Sequence, residues 1–401
     1  MIEQPSTGTM SSFDVTHLDN GKTYARPAIL LNPHRSITSQ KPCHQDSAVE
    51  AFHRQLPSYG ETQLHSLPAV ATELGFAHVF LKDESTRFGL PSFKILGASW
   101  AIHKALCLEL GLPASTSLQE VKIALKTPQR SDKVRLVTCT EGNWGRATSR
   151  MAKYYDVPCT IYVPGFMNEY TRSLIKNEGA DLRVLDDGSY DDAIAAVQQD
   201  ATETGALMVM DTSWDGYEEV PGWVTEGYET MMAEVDRQVA KATGGVDDLR
   251  MLAVASVGVG SWAHAVVKHY TALSPENQVV TVEPVAAPSF KESLHCGKIT
   301  PIVTGDTINN GMNCGTTSKI AWPVLSSGVF AAVTVEDIES HKCVRELQAQ
   351  GVNAGPCGAS TLAALRKLCQ GTEAVSRAKR ADMIVVLFST EGMREYEEPA
   401  K

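Results

Sequence analysis

Phe88-Gly-Leu-Pro-Ser92-Phe93-Lys94-Ile-Leu-Gly97-Ala98 sets one lysine inside an apolar run. Pro91 and Ser92 close a loop, and a hydroxyl there can cap the helix that the run opens. Phe93, Ile95 and Leu96 surround Lys94 with apolar side chains. Burial disfavours the ammonium form and lowers a lysine's pKa, leaving a nucleophilic amine at neutral pH. That is the chemistry of a lysine that forms a Schiff base. A lysine that merely snorkels from an amphipathic helix has the same local sequence, so the rest of the chain decides.

The surrounding 401 residues are enough for a large core divided between two domains. With 43% apolar and 21% charged residues, the composition is that of an ordinary globular protein. A net charge of -11 without a basic cluster argues against nucleic acid or an anionic membrane as partner. No apolar run approaches spanning length, and the first residues lack the basic-then-apolar layout of a signal peptide. Nine cysteines, odd in number and never spaced C-x-x-C, fit a reducing compartment and give no structural metal site. The expected location is the cytoplasm.

Outward from Lys94 the pattern alternates strand and helix. Strands are expected at 77–81, 134–138, 159–163, 181–185, 206–210, 251–256, 279–282 and 383–387. Helices are expected at 51–56, 67–74, 144–155, 170–178, 191–203, from 224 to 241, from Ser261, and near 358–368. Strands joined by helices need crossovers and imply a mainly parallel sheet. Residues 1–50, rich in Ser, Thr, Pro and Asn, read as a mostly irregular arm.

Three loops sit at expected strand ends, where open parallel sheets bind ligands. Thr140-Glu141-Gly142-Asn143-Trp144-Gly145-Arg146 lies between a strand and a helix, so its backbone can approach a carboxylate. A plain βα turn would read the same. Val257-Gly258-Val259-Gly260-Ser261 has the glycines and following helix start of a phosphate cradle, though not the spacing of a dinucleotide site. Ser389-Thr390-Glu391-Gly392 places hydroxyls after the last strand, as an ordinary polar loop also would.

In this order, the four stretches resemble the tryptophan synthase β-like (fold type II) family of pyridoxal phosphate (PLP) enzymes, nearest its diaminopropionate ammonia-lyase branch. The resemblance extends from about Phe52 to Glu391. It includes the segment 52–59, the run from Lys82 to Leu90, and Asp211-Thr-Ser-Trp-Asp-Gly-Tyr217 with its aromatic continuation to Tyr228.

The resemblance implies an α/β fold of two domains with mainly parallel sheets and PLP in the cleft between them. It divides the chain into the arm 1–50, a large PLP-binding domain of 51–94 and 221–401, and a small inserted domain, 95–220. It makes Lys94 the Schiff-base lysine and Asp211 an acid near the substrate amine. Phe93 and Asn143 would contact the cofactor, with Asn143 on the 3′-oxygen. Gly258, Val259, Gly260 and Ser261 would hold the phosphate, and Ser389 or Thr390 would meet the pyridine nitrogen. Thr140, Gly142 and Trp144 would line the substrate carboxylate site. Glu141 replaces the family's usual aspartate, and Trp144 its usual histidine, so Glu141 is the expected second base and the residue that tunes substrate choice. Glu283 matches a strand end of structural role.

The implied activity is α,β-elimination on a small amino acid with a β-leaving group, diaminopropionate-like, giving a 2-oxo acid and ammonia, in a homodimer. The alternatives are β-replacement, in which a second nucleophile captures the intermediate, and a non-catalytic PLP-binding protein.

Overall fold

Met383–Ser389 is apolar but for its last residue and buried throughout, as a central parallel strand covered on both faces requires. In the computed structural model, which describes residues 12–37, 48–127, 134–140, 142–188, 190–245 and 249–400, it lies inside a seven-stranded sheet. The order across that sheet is Ile29–Leu31, Ala331–Val335, Gln278–Pro284, Arg250–Ser256, Met383–Ser389, His78–Asp83 and Leu64–Ser66. The five inner strands are parallel, with Leu252 opposite Val385 and Val386 opposite Phe80. Both edge strands run antiparallel.

A second, four-stranded sheet is parallel throughout, in the order Asp181–Leu185, Cys159–Pro164, Leu136–Cys139, Leu207–Met208. All its strands fall between His78–Asp83 and Arg250–Ser256, so it is a continuous insertion into the chain that builds the larger sheet. The helix Lys94–Leu110 joins the two sheets and ends at Gly111, whose φ of 68° gives the left-handed cap.

The expected strands and helices around both sheets are present, displaced by a few residues at their ends, except that the helix expected over 224–241 is two, Glu219–Gly227 and Glu229–Thr243. The irregular-arm reading is corrected. Ser12–Thr16 and Thr23–Pro27 form an antiparallel hairpin, and Ile29–Leu31 pairs with Ala331–Val335. In Ser12–Thr16 only Phe13 and Val15 point inward, a period-two signal too short to stand out among the polar residues.

The loop before Lys94 is set by buried charge. Lys82, Glu84, Arg87 and Glu234 are each 0% exposed. Arg87 donates two bonds to Glu84 and two to Glu234, and Lys82 Nζ lies 2.7 Å from Glu234. Buried charges persist only when paired, so this cluster fixes the strand end, the loop and the helix Glu229–Thr243 relative to one another. Phe88 next door adopts φ 49°, a conformation that costs energy for a bulky residue and needs such a frame.

Candidate active site

The loops at the carboxyl ends of both sheets converge on one cleft. It encloses about 520 Å³, part of it open to solvent, and its wall includes Lys94, Asn143, Asp211, Thr390 and the Gly258–Ser261 loop. Lys94 opens its helix, and its backbone N–H donates to Ser92 Oγ at 3.3 Å. Its Nζ donates to Asp211 Oδ2 at 2.6 Å and lies 5.9 Å from the centre of the Trp144 ring.

This pairing corrects the expected direction of the lysine pKa. Burial pulls the Lys94 ammonium down, but the Asp211 carboxylate outweighs it, and the pKa stands above its ordinary value. Nothing near Lys94 in sequence discloses a partner that follows the last strand of the inserted sheet.

The glycine loop is shaped by close approach. A Cβ on Gly258 would lie 2.8 Å from the Gly311 carbonyl oxygen. Gly260 has φ 101°, and a Cβ there would stand 3.0 Å from Leu325. The chain then enters the helix Ser261–Leu273, whose first N–H groups have no partners within the helix. Ser261 Oγ donates to the Asp211 carbonyl, tying this loop to the residue that faces Lys94.

Asn143 is the first residue of the helix Asn143–Tyr155, and its Nδ2 donates to Glu391 Oε2 at 3.3 Å. Thr390 is in the cleft wall, whereas the Ser389 hydroxyl donates to the Glu391 carbonyl at 3.4 Å and lies against Gly358, away from that wall. Phe93 lines the cleft, backed by Tyr228 and Trp262. Thr140 turns its Oγ1 to the N–H groups of Gly142 and Gly145 and so organises the helix start. Gly142 and Trp144 are not among the wall residues either, although the Trp144 ring lies behind Lys94 with its Nε1 donating to Thr138 at 3.0 Å. Glu141 lies outside the described residues.

Glu283 takes the structural place expected for it. Its carboxylate accepts the N–H groups of Phe290 and Lys291, both at 2.8 Å, and burial pushes its pKa up to about 8.

Sequence reasoning missed Tyr228, Trp262, Gly311, Met312, Cys357 and Glu391 as wall residues. Tyr228 and Glu391 lay inside quoted motifs and Trp262 directly after one. Gly311, Met312 and Cys357 sit on segments with no such mark. Among the described residues, one cluster of metal-ligand type, His17, Glu292 and Cys296, lies outside the cleft wall. There the Arg26 guanidinium holds both Glu292 oxygens at 2.7 Å, which favours an ion pair over a bound cation.

An amine, a carboxylate, a carboxamide, a hydroxyl and a glycine cradle at a helix start thus share one cleft. That set fits PLP, which carries an aldehyde, a phosphate and an aromatic ring with polar substituents. The unpartnered N–H groups at the start of the helix Ser261–Leu273, reached by a loop whose glycines pack tightly against Gly311 and Leu325, are what a phosphate held by backbone demands.

Comparison with known proteins agrees. The profile described as "Pyridoxal-phosphate dependent enzyme" matches residues 56–389. A diaminopropionate ammonia-lyase of Salmonella typhimurium is 33% identical over 368 residues, covering 86% of this chain and 88% of that protein. One from Escherichia coli is 31% identical over 362 residues, with 87% and 88% covered. The Escherichia coli enzyme in complex with D-serine superposes with a TM-score of 0.81 at 26% identity, covering 95% of each chain. The same enzyme has also been solved with an aminoacrylate-PLP azomethine reaction intermediate, with a TM-score of 0.79 at 27% identity and 95% of each chain covered. The chain belongs to the pyridoxal-phosphate dependent enzymes of fold type II, and PLP is its cofactor.

Proposed function

We propose that this enzyme is an ammonia-lyase that removes a β-leaving group from a small amino acid of the 2,3-diaminopropionate type, giving a 2-oxo acid and ammonia. The observation that carries the reading is the Lys94–Asp211 contact of 2.6 Å inside a cleft that also contains the glycine cradle and Asn143.

The cofactor, when bound, supplies a conjugated acceptor for the electron pair left at the substrate's Cα. Lys94 would hold the cofactor and, with its Nζ in the cleft, would take the Cα proton of the substrate. Asp211 keeps Nζ oriented and stabilises its charged form. Gly258 to Ser261 would hold the phosphate, and Asn143 would bond the 3′-oxygen. Of the two hydroxyls, Thr390 would meet the pyridine nitrogen, a reading supported by its place in the cleft wall. A neutral hydroxyl there would not stabilise a protonated ring nitrogen, which would favour elimination over transamination. Glu141 is the second base, and Thr140 and Gly142 shape the substrate carboxylate site. Residues 95–220 act as the small domain, inserted in a large one of 51–94 and 221–401. The active form is a cytoplasmic homodimer. Among the described residues no helix is long and apolar enough to cross a membrane.

The test is release of 2-oxo acid and ammonia from L- and D-2,3-diaminopropionate by PLP-loaded protein with no added nucleophile. Lys94→Ala should lose the visible absorbance of the bound cofactor and several orders of magnitude in turnover. Product that appears only when a second nucleophile is supplied points to β-replacement instead. A cofactor band with no turnover on any amino acid leaves only binding.

A further inference from the structure

Glu391 is 5% exposed, yet it is part of the cleft wall. Its position is prepared from several sides. Gly355 has no side chain, and a Cβ there would sit 3.0 Å from Glu391 Cγ and 3.1 Å from Oε1. The Cys357 N–H, at the start of the helix Pro356–Gly371, lies 3.4 Å from Oε1, and Arg394 Nε lies 3.5 Å from the same oxygen. The other oxygen, Oε2, takes the bond from Asn143 Nδ2 at 3.3 Å. A carboxylate accepts and does not donate, so the oxygen of the Asn143 carboxamide cannot face it without repulsion. One of the two Nδ2 hydrogens is thereby committed and the rotation of the amide is fixed. Asn143 follows a strand of the inserted sheet, while Glu391 follows the strand Met383–Ser389 of the larger one. The bond therefore crosses the cleft.

We propose that Glu391 is a positioning residue: it sets the Asn143 carboxamide across the cleft so that its second N–H is presented to the ring of the bound cofactor. The inference rests on the reading of Lys94 and Asn143 given above. Glu391 acts through Asn143, and its own carboxylate need not touch the reacting atoms.

The experiment measures affinity for PLP and the ratio of visible to near-ultraviolet bands in the loaded protein, with folding checked by circular dichroism. E391A should weaken PLP binding about tenfold and change the band ratio, in keeping with loss of a charge-assisted hydrogen bond. E391Q offers an oxygen to the same amide and should recover most of both. In an N143A background E391A should add nothing further, since the two residues act as one unit. Equal effects of E391A with and without Asn143, or none in either, overturn the proposal. A second route avoids the alanine variant at 391. N143D sets two carboxylates face to face, so it should bind PLP worse than N143A, and adding E391Q should relieve it. Lack of relief also overturns the proposal. A wild-type visible band that survives in K94A would instead sink the reading on which it rests, whereas a Lys94-dependent band insensitive to Glu391 sinks only this inference.

Discussion

At the scale of single residues, the chemistry turns on how Asp211 governs the charge of Lys94. The carboxylate 2.6 Å away holds the ammonium above its ordinary pKa against the pull of burial. A lysine must be neutral to attack an aldehyde, so the rate of PLP loading onto stripped protein should rise with pH towards a high midpoint. Asp211→Asn removes the stabilising charge and leaves burial unopposed. The midpoint should then fall, and loading at pH 8 should be faster than in the wild type. Stopped-flow absorbance across pH checks this. An unchanged midpoint would mean that Asp211 does not set the Lys94 charge. The same variant should lose turnover, because Asp211 also orients Nζ for proton removal.

At the scale of elements, the glycine loop and the helix behind it form one unit. Gly258→Ala would bring a methyl group 2.8 Å from the Gly311 carbonyl, a contact that no rotamer relieves. The loop must shift, and misplacement of about 1 Å at such a site can cost about a hundredfold. PLP affinity, read by absorbance titration, should drop at least tenfold while the circular dichroism spectrum stays that of the wild type. Native affinity in the folded variant would take the loop out of the cofactor site. Loops of this kind were legible in sequence because glycines between an apolar strand and a helix leave a local mark, as does Phe93-Lys94. Cys357 left none, and Glu391 lay in a marked loop without its own role showing, because what places both is contact between distant strand ends and helix starts. Trp144 is held in part by contacts of the same distant kind: its buried indole bonds Thr138 through Nε1 and lies behind Lys94. The hairpin of residues 12–27 escaped notice because its inward residues alternate over only five positions.

At the scale of the whole molecule, several elements are joined through neutral, buried histidines. His53, on the helix Ala48–His53, bonds Thr230 on the helix Glu229–Thr243 and the Leu96 carbonyl on the helix that starts with Lys94. Burial drives its pKa down to about 3, and that of His103 to about 4. Each is neutral when folded and free to protonate near pH 6.5 when unfolded. Their contribution is therefore full above pH 6.5 and is lost as pH falls toward 3 to 4. For His53 the loss is about 1.4 kcal/mol per pH unit in that window. Thermal melts from pH 7 to 4.5 should show a steep decline, less steep in His53→Gln. A slope identical to the wild type's would mean that His53 does not protonate on unfolding.

The bond between Asn143 and Glu391 closes a loop of 248 residues, and that between Lys94 and Asp211 one of 117. Contacts so distant along the chain form late, since the entropy of closing the intervening loops must be met first. Newly made or refolding protein will thus capture PLP only after both of these loops have closed, so a chain that has regained its helices is not yet an enzyme.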